Sequence, residues 1–175
     1  MKIVPRAVLT LAALPWLAAC SSPTSSSPDF DVTFTSDPDP ALASASSGVQ
    51  YKVTNADDSV SYYDYDYRTH FTLHIQENAG IDLTITSINL AVQQATGGIV
   101  ITPSGGDQVY FKFNSSAPQN HINGKGSADI GFDVWYDLPS GGKEALVTVA
   151  FNFEHTDKDD NKYTYSDTAS VKVAP

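Results

Sequence analysis

Residues 128–137 read Ala128-Asp129-Ile130-Gly131-Phe132-Asp133-Val134-Trp135-Tyr136-Asp137. Ala128, Ile130, Phe132, Val134 and Tyr136 hold every second position, and Asp129, Gly131, Asp133, Trp135 and Asp137 hold the others. Successive side chains of a strand point to opposite faces, so a period of two describes a strand with one buried and one wet face. The pattern spreads in both directions. Downstream, Pro139-Ser140-Gly141-Gly142 turns the chain into Val147, Val149, Phe151 and Phe153. Asp157 to Asn161 then turns it into a last strand carrying Tyr163, Tyr165, Ala169, Val171 and Val173.

Upstream, Val109, Phe111 and Phe113 alternate, as do Phe71, Leu73 and Ile75, and Val49, Tyr51 and Val53. Between them the phase slips. Ile81, Leu83 and Ile85 are odd-numbered, whereas Ile88, Leu90 and Val92 are even-numbered. A one-residue slip exchanges the faces of a strand, so a β-bulge is expected near Thr86-Ser87. Ile99–Ile101 reads as a short strand, Asn114–Gly126 as a long polar loop, and Phe30–Thr35 as one more strand. Ser36–Gly48, rich in Ser, Pro and Ala, reads as a long loop or a continuation of the N-terminal tether, with Ala41–Ala45 open to a helical turn.

Eight or nine strands joined by turns predict an all-β chain, an antiparallel two-sheet sandwich over residues 30–175. The layout resembles immunoglobulin-like or fibronectin-type-III-like sandwiches. It lacks the Cys…Trp…Cys pattern of true immunoglobulin domains, and such a resemblance implies an architecture without a function.

The N-terminus follows other rules. Lys2 and Arg6 precede an apolar run from Ala7 to Ala19, and small residues lead to Cys20, the only cysteine. A positive start, a short apolar run and a small-residue cleavage point make a secretory signal. About 20 apolar residues are needed to span a bilayer, and this run is shorter. Leu17-Ala18-Ala19-Cys20 resembles the lipobox of bacterial lipoproteins. The resemblance implies cleavage between Ala19 and Cys20, a diacylglycerol on the Cys20 thiol and an acylated new amino terminus. Ser21 resembles the residue that follows the cysteine in lipoproteins sent to the outer membrane of two-membraned bacteria. Residues 20–29 then form a tether, whose Ser/Pro composition offers nothing to bury.

Losing Lys2 and Arg6 with residues 1–19 takes the formal charge from −10 to −12. An acidic chain of this kind is unsuited to nucleic acid, whose phosphates call for basic footprints. It is equally unsuited to electrostatic adhesion to anionic lipid, which leaves the lipid anchor as the membrane contact.

No motif for a catalytic residue, a metal or a cofactor stands out. His70 and His74 share a face but lie four strand residues, about 13 Å, apart, too far to bind one ion together. Asp157, Asp159 and Asn161 begin like an EF-hand loop, yet Lys162 and Thr168 occupy its glycine and glutamate positions, so a turn is expected. Ser104 and Ser140 lack the context of a nucleophile elbow. The unusual feature is aromatic: Tyr62-Tyr63-Asp64-Tyr65-Asp66-Tyr67, with Trp135 between Asp133 and Asp137. Exposed Tyr62, Tyr65 and Trp135 beside carboxylates suit sugar stacking or a protein interface, whereas Tyr63, Tyr65 and Tyr67 in phase with Phe71 suit a core extension. The leading expectation is a lipid-anchored, non-enzymatic envelope module that meets an envelope protein or glycan. A carbohydrate-binding module is the alternative, and an enzyme or hydrolase accessory comes third.

Overall fold

The computed structural model describes residues 28–46, 50–54, 56–103, 108–114 and 120–175. The signal segment, Ala19, Cys20, most of the tether, Ser104 and the 115–119 part of the long loop lie outside the described residues. Among the described residues there are twelve strands and no helix. They are β1 (Val32–Asp37), β2 (Ala41–Ala45), β3 (Gln50–Thr54), β4 (Val60–Asp64), β5 (Tyr67–Glu77), β6 (Leu83–Gln94), β7 (Val100–Ile101), β8 (Val109–Phe113), β9 (His121–Ile122), β10 (Ser127–Tyr136), β11 (Ala145–Thr156) and β12 (Lys162–Ala174).

One sheet runs β1-β5-β10-β8 and the other β12-β11-β6-β7, with β9 on the far half of β6. This is the A-B-E-D and G-F-C order of immunoglobulin-type sandwiches, with β3 and β4 inserted as a separate hairpin. Inward residues of both sheets meet in one core. Phe71, Ile75, Ile130, Phe132, Val147, Val149, Phe151 and Phe153 have no exposed surface. Phe30, Tyr165, Phe153, Phe151 and Phe34 stack in a column, each ring 5.0–6.1 Å from the next.

Three expectations need correction. Of the stretch Ser36–Gly48, the described residues 36–46 are neither a simple loop nor tether, and Ala41–Ala45 is a strand rather than a helical turn. β2 pairs antiparallel with β5 through Ala43–Ala45 and parallel with β12 through Ala41 and Leu42. It therefore joins the two sheets along one side, and the all-antiparallel expectation gains one parallel pair. Pro38 and Pro40 separate β1 from β2, since proline brings no N–H to a ladder. Phe30–Thr35 lies in the sandwich as expected, because β1 pairs with β5 from Val32 to Asp37. Finally, the long polar loop contains β9.

The expected bulge is present. Asn152 faces Ser87 and Phe153 faces Ile85, leaving Thr86 as the extra residue. Its Oγ1 donates to the Asn152 carbonyl at 3.1 Å. The insertion keeps Leu83 and Ile85 in the core before it and Leu90 and Val92 after it.

The sandwich has two unlike ends. Phe30 enters beside the β5–β6 turn, the β9–β10 turn and the β11–β12 hairpin. At that end Glu77 has no exposed surface. Its carboxylate accepts N–H bonds from Ala79, Gly80 and Lys125 at 2.7–3.0 Å. Asp82 accepts from Gly124 N–H at 2.8 Å, and a Cβ on Gly124 would stand 2.6 Å from the Gly80 carbonyl, so two turns are tied together here. The opposite end, nine residues and about 30 Å along β5, carries the β3–β4 hairpin.

Candidate functional site

The hairpin strands pair only with each other among the described residues, and aromatic contacts hold them to the sandwich. Trp135 points away from the core, on the outer face of β10, as its position in the alternation requires. Tyr51 of β3 covers it, with centroids 4.7 Å apart. Tyr110 of β8 lies 5.6 Å from Trp135 and 5.9 Å from Tyr51, and Tyr65 lies 5.6 Å from Tyr51. Lys112 Nζ sits 5.2 Å from the Trp135 ring, a cation–π distance. The outcome is a second, smaller apolar cluster on the outside of a sheet.

The proposed stacking surface is therefore not formed. Tyr62 is 63% exposed, but Tyr65 is fully buried and Trp135 is only 5% exposed. Nor do Tyr63, Tyr65 and Tyr67 extend the core together. The strand breaks after Asp64, so only Tyr67 packs on the main core, against Tyr136 at 6.0 Å. Asp137, beside this break, accepts the Asp66 N–H at 2.5 Å. Burial raises its carboxyl above the usual range, that hydrogen bond lowers it in part, and Asp66 and Asp64 raise it again.

The histidines are apart, as expected, and each has a cross-strand partner. His70 Nδ1 is 3.0 Å from Asp133 Oδ1, and His74 Nδ1 is 2.5 Å from Asp129 Oδ1. Asp133↔His70 and Asp129↔His74 are direct register pairs of β10 and β5. No group of three or more His, Cys, Asp or Glu among the described residues is placed to hold a metal ion. Asp157 to Asn161 is a turn: the Asp157 carboxylate accepts from Asp159 N, Asn161 N and Asn161 Nδ2 at 2.8–3.0 Å. These bonds, those of Asn161 foremost, hold its carboxyl below the usual range. Ser140 sits exposed in the β10–β11 turn.

A comparison with protein-family models and with curated proteins finds no match. On the outer face, between β2, β5 and β10, is a depression of about 460 Å³ lined by Pro38, Leu42, Ser44, Arg68, His70 and Asp133, with Thr69 and Trp135 at its wall. Its volume falls in the range of small-molecule sites. Two signals for it were present in the sequence. Arg68 is the only arginine after Arg6, and His70 falls on the outer phase of its strand. What the sequence does not give is the pairing of β2 with β5, which forms one wall.

Proposed function

We propose that the protein is a lipid-anchored envelope protein whose sandwich is a non-enzymatic binding module held at the membrane by Cys20. The observation that carries the reading is Leu17-Ala18-Ala19-Cys20 after a charged start and a short apolar run. More than one acyl chain is needed for stable anchoring, at about 0.8 kcal/mol per buried CH₂, and the lipobox pattern implies such a set. Ser21 favours the outer membrane of a two-membraned host. From Cys20 to Phe30 the chain reaches at most about 36 Å.

The polarity of the sandwich supports a presenting role. Phe30 enters at the Glu77 end, so an anchored chain carries the β3–β4 hairpin and the outer-face depression away from the bilayer. Loops and surfaces displayed on a rigid sandwich are where binding residues concentrate. The burial of Tyr65 and Trp135 takes away the stacking surface on which the carbohydrate alternative rested.

Labelled palmitate tests the anchor. A bacterial host expressing the full chain should incorporate label into the protein, and Cys20→Ala should abolish it and release the protein from membranes. Label retained by Cys20→Ala contradicts the reading.

A further inference from the structure

The outer-face depression brings together groups with one unmet need. Arg68 is held in place, since its Nε donates to Ser44 Oγ at 3.2 Å and Ser44 Oγ donates to the Arg68 carbonyl at 3.3 Å. Yet among the described residues Arg68 forms no ion pair, in a chain with 20 Asp and Glu. The carboxylate that shares the depression, Asp133, is taken by His70 at 3.0 Å. At the wall of the depression, Trp135 Nε1 is a buried side-chain polar atom without a hydrogen-bond partner among the described residues.

We infer that this depression binds a carboxylate-bearing small molecule, with the Arg68 guanidinium as its anchor. A guanidinium fork matches a carboxylate by two parallel N–H···O bonds. A phosphate dianion fits less well, because one arginine beside Asp133 in so acidic a chain cannot balance it. The exposed Leu42 and Pro38 offer an apolar rim for the ligand's body. The His70–Asp133 pair offers acceptors and a donor for hydroxyl or amide groups next to the carboxylate. A sugar acid and a peptide carboxyl terminus both present that chemistry.

The site is independent of the anchor: a failed titration leaves palmitate labelling untouched, and failed labelling leaves the titration untouched. The test is an NMR titration of the detergent-solubilised full chain with D-glucuronate and with N-acetyl-dialanine, using glucose and N-acetyl-dialanine amide as neutral controls. Saturable shifts at residues 42–44, 68–70 and 133–135 with either acid, absent with its neutral counterpart, are expected, and the acid that acts names the source. Arg68→Gln should weaken binding at least tenfold, and Arg68→Lys should weaken it less, with the circular dichroism spectrum and melting temperature of both variants unchanged as proof of folding. Silence from both acids, equal binding of the neutral controls, or unchanged affinity in Arg68→Gln overturns the inference.

Discussion

Trp135→Ala is expected to destabilise the domain by about 3–5 kcal/mol, the usual cost of removing a buried large aromatic side chain. The loss falls on the outer cluster. Tyr51 and Tyr110 lose their common neighbour, and Tyr51, which also packs on Tyr65, is the hairpin's direct hold on Trp135. An isolated two-stranded hairpin is marginal in water, so the amides of β3 and β4 should lose hydrogen-exchange protection before those of β11. Trp135→Phe discriminates burial from a special role of the indole. It keeps most of the apolar area and removes an unpartnered N–H, whose burial costs about 1–3 kcal/mol, so it should lie within about 1 kcal/mol of the parent. Trp135 is also the only tryptophan after Trp16, so in a chain cut before Cys20, as proposed, the emission reports on this one side chain. Tyr51→Ala should shift that emission to the red and open it to acrylamide. Urea unfolding followed by circular dichroism, with exchange on the hairpin, checks the set. A loss under about 1 kcal/mol for Trp135→Ala, with the hairpin still protected, contradicts it.

Glu77→Ala should cost about 2–4 kcal/mol, since it strands several buried N–H groups whose acceptor is a charged carboxylate. For a domain of this size that lowers Tm by roughly 10 °C. Its pH signature separates charge from shape. Burial pushes the Glu77 carboxyl up, but the N–H groups of Lys125, Gly80, Ala79 and Ile81 more than offset this and hold it below its ordinary value. A carboxylate with a depressed folded pKa contributes stability that is in place above the unfolded value of about 4.3 and is lost as pH falls through the folded one. The parent should therefore lose this contribution in acid. Glu77→Gln should be less stable at pH 7 and flatter between pH 5 and 2. Thermal melts across that range read both, and an acid limb unchanged in Glu77→Gln would count against the assignment.

Some of this could be read in the sequence, and particular residues show where reading stopped. Ile85 and Ile88 disagree in phase, and only an extra residue reconciles them, so Thr86 was foreseeable. Ala128 to Tyr136 announced its inward face because every second residue is apolar. Ala41–Ala45 did not announce a strand, for alanine and serine have little strand preference and its partners, β5 and β12, lie far along the chain. Trp135 looked like a surface group because its strand position is an outer one. Its cover arrives from Tyr51, on a hairpin inserted some 80 residues earlier, and periodicity says nothing about such contacts. The His70–Asp133 and His74–Asp129 pairs likewise depend on cross-strand register. Glu77 did leave a sign, for it continues the inward series Phe71, Leu73, Ile75. An acid in the buried phase of a strand calls for dedicated partners, and the turn that follows supplies them.

The central claim is that Cys20 is the first, lipidated residue of a sandwich held at a membrane by its N-terminal tether. Intact-mass spectrometry of the protein extracted from membranes tests it most directly. The account predicts a chain beginning at Cys20, lacking residues 1–19 and carrying a diacylglycerol, with an acyl chain on its amino group in hosts that complete the modification. A chain of unmodified mass, or one beginning at any other residue, would contradict it.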